Sequence, residues 1–139
     1  MNHYTYSELS IGHTETFTVA VTDEHMAAFR SMTGDCNPLH VDDEYARNKS
    51  GFQCRIVYGM LTASFLSTLA VVYLPGEYAL IHKVEVDFPA PVYVGDVIFF
   101  SGEIVRKDDN FKTIHVKVNA VNSNGKRVCR GMMRIGVQV

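Results

Sequence analysis

The run "GMLTASFLSTLAVVYLPG", residues 59–76, decides the fold. It reads as a helix that begins near Tyr58 or Gly59 and is stopped by Pro75 and Gly76. Its composition is apolar nearly all round, with Leu61, Phe65, Leu66 and Leu69 mixed among the small residues Ala63, Ser64, Ser67 and Ala70. A helix with no wet face must be wrapped by other elements. It carries hydroxyls and falls short of the roughly 20 apolar residues that a bilayer span needs.

The flanking segments supply the wrapping. Upstream, "ETFTVAVT" (15–22) alternates Phe17, Val19 and Val21 with Thr16, Thr18 and Ala20, the period of a strand with one buried face. Thr22 can cap a short helix, "DEHMAAFRSM", with Asp23 and Glu24 in its positive first turn and Met26 and Phe29 on its inner side. Asp42 can cap another, "DEYARNK". Downstream, "ALIHKVEVDFP" alternates Val84, Val86 and Phe88 against Lys83, Glu85 and Asp87. "GDVIFFSGEIVRK", "FKTIHVKVNAV" and "KRVCRGMMRIGVQV" also read as strands, with "KDDN" and "NSNG" as turns. The expected plan is α+β: one strand, short helices, a buried helix, then a four-strand meander whose curved antiparallel sheet rolls around that helix. One sheet covers a helix incompletely, so a second copy of the chain is expected to complete the shell.

Bulk properties narrow the function. At 139 residues the chain is expected to be one domain, 1–139, with its own core. A formal net charge of −2 argues against nucleic acid as a main partner. Cys36, Cys54 and Cys129 are odd in number and have no paired spacing, which fits free thiols in a reducing cytoplasm. The N-terminal "MNHYTYSELS" is polar and does not read as a signal peptide. A cytoplasmic protein with no membrane partner is expected.

The chemistry concentrates in "SMTGDCNPLHVDDEYA", residues 31–46. Asp35, Asn37 and His40 lie on a segment that Gly34 and Pro38 keep irregular. On residue types alone this reads first as a simple polar turn, since Asp and Asn side chains bond locally to the backbone. Asp35, His40, Asp42 and Asp43 are also conceivable metal ligands, but there is no helix-spaced histidine pair or thiolate set, and no metal is expected.

The string "TGDCNPLHVDDEYA", followed by "IVYGMLTASFLS", resembles the MaoC-like hydratases and dehydratases of the hotdog superfamily, and most nearly the (R)-specific enoyl-CoA hydratases. Their motif reads Asp, any residue, Asn-Pro-Leu-His, any residue, Asp, then a small helix ending in Tyr-Ala, with a His-Gly-Met-Leu helix start after it. The resemblance runs from about Leu9 to Val137 and includes "FPAPVYVGD" (88–96). It implies a single hotdog domain that reversibly hydrates trans-2-enoyl thioesters to (R)-3-hydroxyacyl thioesters, without a cofactor. By match, Asp35 and His40 are the catalytic acid–base pair, holding one water between them. The Gly59 amide takes the thioester oxygen at an electropositive helix start. Asn37 braces the loop or helps to bind water or substrate, and Ser64 lies near the substrate. The implied substrate partner is an acyl-CoA or acyl-carrier-protein thioester, and the second copy expected from coverage of the helix would make a homodimer or a dimer-based oligomer.

One position departs from the family pattern. Tyr58 stands where the family usually has His, which motivates a competing reading as a non-catalytic acyl-binding or assembly module. A hotdog thioesterase ranks lower, because the central helix offers no carboxylate. The sequence shows no long basic patch for a CoA phosphate or a carrier protein; Lys83, Arg106, Lys107, Lys126, Arg127 and Arg130 are isolated, and could serve one or equally be solvated charges.

Overall fold

Alternating residues become strands wherever one face meets the central helix. In the computed structural model, which describes residues 1–139, five strands form one antiparallel sheet: β1 (Thr14–Ala20), β2 (Ala79–Asp87), β3 (Val97–Asp108), β4 (Thr113–Val121) and β5 (Arg127–Val137). The helices are α1 (Asp23–Thr33), α2 (Asp43–Ser50) and α3 (Gly59–Thr68), and α3 runs on into a π-helical turn at Leu69–Tyr73. That turn is closed by the Leu74 N–H bonding the Leu69 carbonyl at 2.8 Å.

The apolar helix is enclosed as its composition demands. Leu66, Leu69 and Ala70 are buried in one core with Phe100 and Ile104 of β3, Val116 and Val118 of β4, and Met133 and Ile135 of β5. Gly102 permits this close approach: a Cβ there would lie 2.9 Å from Val116 and 3.0 Å from Leu69. An aromatic ladder ties helix to sheet. Phe17 stacks on Phe100 at 5.0 Å between centroids and on Tyr73 at 5.2 Å, and Phe65 leans on Phe100 at 6.0 Å.

The expected four-strand meander is corrected by the sheet order β1-β3-β4-β5-β2. Only β3, β4 and β5 form a meander, while β2 lies at the far edge beside β5 and β1 closes the other edge on β3. Residues 88–96 cannot make a tight hairpin, because Pro89 and Pro91 lack the N–H groups that one would use. They instead carry the chain past the start of α3, where the Val57 N–H bonds the Val92 carbonyl at 2.7 Å.

Three strands carry an extra residue, one of them β5 at Val128, which is skipped as Ala120 pairs with Cys129 and Val121 with Arg127. Register shifts fall between Ile81 and Lys83 in β2 and between Ile104 and Arg106 in β3, so His82 and Val105 are bulged. The thiols are free, Cys36 exposed, Cys54 half-buried and Cys129 buried. Burial pushes the Cys129 thiol up to about 11. No helix is long and apolar enough to cross a membrane.

Candidate active site

The site begins where α1 ends. Thr22 caps the helix start by accepting the His25 N–H at 3.2 Å, and Gly34 ends the helix at φ 75°, a left-handed conformation suited to glycine. From there the side chains hold the backbone in relay. The Asp35 N–H bonds the Thr33 hydroxyl at 3.2 Å, the Asn37 N–H bonds Asp35 Oδ1 at 3.0 Å, and the Leu39 N–H bonds Asn37 Oδ1 at 3.0 Å. Pro38 then opens a short 3₁₀ turn, Pro38–His40. The local-turn reading of these residues is therefore correct as far as it goes. One Asp35 oxygen is spent on the turn, and no cation forms an ion pair with the carboxylate.

His40 is anchored differently. Its Nδ1 lies 2.9 Å from the Ile56 carbonyl, and the Ile56 N–H bonds the Leu39 carbonyl at 3.2 Å. A carbonyl only accepts, so Nδ1 donates to it, and Nε2 is the ring nitrogen left for other partners. Arg55, just before Ile56, fastens this region by bonding Asp23 of α1 through its guanidinium and Asp43 of α2 through its N–H.

Tyr58 joins the two halves. Its hydroxyl donates to the Asp35 carbonyl at 2.9 Å, and its ring lies 4.1 Å from the His40 ring and 4.8 Å from Phe29. Burial, and after it the Asp35 charge, raises the Tyr58 phenol above its ordinary value, which keeps it a donor. Tyr58→Phe deletes the hydrogen bond but keeps both ring contacts. It is expected to cost about 0.5–1.5 kcal/mol in a urea melt, and an unchanged midpoint would show that this bond does not secure the loop.

Gly59 follows as the first residue of α3, which no side chain caps. The Thr62 N–H is bonded to the Tyr58 carbonyl at 3.1 Å, leaving the earlier N–H groups free of intrahelical partners. A Cβ at Gly59 would press on the Phe88 ring at 3.3 Å, so glycine also serves packing here.

Asp35, His40, Tyr58, Gly59 and Ser64 open on one cavity of about 630 Å³. Phe29, Met60, Ala63 and Val84 give it apolar walls. Ser64 donates its hydroxyl to the Leu61 carbonyl at 2.6 Å and so presents only acceptor lone pairs to the cavity. Asn37 does not line the cavity; its oxygen holds the Leu39 N–H. No group of three or more His, Cys, Asp and Glu side chains is placed to hold a metal ion.

The family model described as "MaoC like domain" matches residues 10–126. The chain belongs to the MaoC-like domain family. This MaoC-like domain is 31% identical over 96 residues to an (R)-specific enoyl-CoA hydratase of Rhodospirillum rubrum, covering 69% of this chain and 65% of that protein. It is 30% identical over 99 residues to a 3-hydroxybutyryl-CoA dehydratase of Methylorubrum extorquens, covering 71% and 62% respectively. The chain thus matches somewhat under two thirds of the length of these relatives. Among solved structures, the (R)-hydratase of Aeromonas caviae superposes with a TM-score of 0.87 at 26% identity, covering 93% of this chain and 97% of that one. The hotdog plan expected from the sequence is confirmed.

Sequence reasoning missed the bond from Tyr58 to Asp35 and the places of Phe29 and Val84 in the cavity wall. A signal for the first was present, since a phenol in a buried segment needs a hydrogen-bond partner.

Proposed function

We propose that this MaoC-like domain reversibly hydrates trans-2-enoyl thioesters to (R)-3-hydroxyacyl thioesters, carried on coenzyme A or on an acyl carrier protein. The observation that supports it most is the shared opening of Asp35, His40 and the free helix start at Gly59 on one apolar-walled cavity. A water held between the Asp35 carboxylate and His40 Nε2 adds to C3 of the enoyl group. The pair accepts the proton that this water loses and returns a proton to C2. Charge that collects on the thioester oxygen meanwhile is met by the Gly59 N–H, a type of donor worth about 10²–10³ in turnover. Loss of the enoyl-thioester absorbance with crotonyl-CoA tests the reading. No turnover on any enoyl-CoA or enoyl carrier protein would sink it, and saturable binding without conversion would leave an acyl-binding module.

The working unit proposed is a homodimer joined along β2. This nine-residue strand has a free edge, and unpaired edges are templates for another strand. Leu80 is 50% exposed, Val84 43% and Phe88 42%, on or just beyond that strand, and Met60 on the cavity rim is 65% exposed. Sedimentation at micromolar concentration is expected to give about twice the 15.6 kDa chain mass. A single-chain mass would overturn the pairing.

A further inference from the structure

We propose a second binding site, for the phosphates of a nucleotide, on the outer face of the sheet. It rests on residues that sequence order scatters and strand register collects. Arg106 of β3 stands opposite His115 of β4, and His115 stands opposite Arg134 of β5. On the next strand, Lys83 is the partner of Arg134. His82, the bulged residue beside it, lies over β5 at Gly136, where a Cβ would come within 2.8 Å of the imidazole. Arg106, His115, Arg134 and His82, with Asp108, Thr113 and Phe111, line a cavity of about 470 Å³. None of them lines the cavity at Gly59.

Three features make this more than a run of solvated charges. Lys83 and Arg134 stand directly opposite one another, an arrangement of like charges that weakens a sheet, and an anion seated beside Arg134 reverses the sign of that interaction. Lys83, opposite Arg134, pairs with Glu85 at 2.6 Å, and Arg130 on the same strand as Arg134 pairs with Asp87 at 3.7 Å, while Lys117 and Arg127 on this face have no ion pair. Arg106 and Arg134 have no ion pair. The one carboxylate in the cavity, Asp108, spends Oδ1 on the Asn110 N–H at 3.0 Å and the Phe111 N–H at 3.4 Å, tying down the turn. Finally, bulges at Val105 and His82 flank the row on both sides, and such insertions re-aim side chains.

Phe111 narrows the ligand class. It is 77% exposed at the β3–β4 turn, on the rim of the cationic cavity. A free aromatic face beside two guanidinium groups suits a purine stacked on the ring with its phosphates on Arg106 and Arg134. The nucleotide is either the adenosine 3′,5′-bisphosphate end of coenzyme A or a free nucleotide, and the site chemistry is the same for both.

Calorimetric titration with adenosine 3′,5′-bisphosphate tests the site without reference to catalysis. Saturable binding is expected, weakened at least tenfold in Arg106→Gln/Arg134→Gln and several-fold in Phe111→Ala. Pyrophosphate binding should fall in the arginine double variant and be unmoved in Phe111→Ala. All three side chains are on the surface, and circular dichroism would confirm the fold of each variant. No binding at millimolar ligand, or equal binding by the wild type and the double variant, overturns the proposal. A second arm identifies the source. If the site holds the substrate's own nucleotide, the double variant raises KM for crotonyl-CoA and leaves KM for crotonyl-pantetheine unchanged. If it holds a free nucleotide, neither KM moves while the calorimetric difference persists.

Discussion

Asp35→Asn and His40→Gln are each expected to lower turnover of an enoyl thioester by about 10²–10⁴, the usual worth of a positioned acid–base group, with little change in stability. The two substitutions are nearly isosteric, and the surroundings show why the fold should tolerate them. An asparagine at position 35 keeps an oxygen for the Asn37 N–H, and the Tyr58 hydroxyl bonds the backbone at Asp35, not the side chain. A glutamine at position 40 can still donate an N–H toward the Ile56 carbonyl. What each variant removes is a group able to take and return a proton. The measurement is kcat for crotonyl-CoA alongside a urea melt. Wild-type kcat in both variants would remove Asp35 and His40 from the mechanism, and a matching loss of stability would reduce them to struts.

Phe100→Ala is expected to cost about 3–5 kcal/mol, the range for emptying a large aromatic from a core. That is a large share of the roughly 5–15 kcal/mol by which domains are stable. Phe100 is 1% exposed and stands between Phe17 of β1 and Phe65 of α3. Its loss would uncouple the helix from two strands at once, and the Phe17–Tyr73 stack would lose its backing. A chemical denaturation midpoint within 1 kcal/mol of wild type, at unchanged slope, would show that the ladder does not hold the helix.

Much of this architecture is legible locally. The apolar run from Gly59, the capping Thr22 and Asp42, and the period-two strands all fell where neighbouring residues place them, because capping and alternation are short-range properties. The position of β2 is not, since which strand lies next to β5 depends on pairing between segments far apart in sequence. Pro89 and Pro91 argue against a hairpin without saying where the chain goes instead.

The site divides in the same way. Asp35 and His40 stand out because they are five positions apart in one irregular segment, and both do open on the cavity. Asn37 shares that segment, yet a side chain that bonds two residues onward faces its own turn. Tyr58 acts across a gap that no local pattern spans. Arg106, His115 and Arg134 become neighbours only through register, which the bulges reset, so their meeting could not be counted from the sequence.

The extra residue in β2 has a consequence for how that strand can change. Ile81 before the insertion and Val84 and Val86 after it all share the sheet's inner side, although their numbers switch from odd to even. Side chains alternate at every step of a strand, so the inserted residue is what keeps both halves facing the same way. Removing residue 82 would reverse everything beyond it. Lys83 and Glu85 would turn toward the helix, and Val84 would leave the cavity wall. The strand is thus tolerant of spelling and intolerant of length: a letter can be exchanged along it, but the count of letters sets which side of the sheet each one addresses.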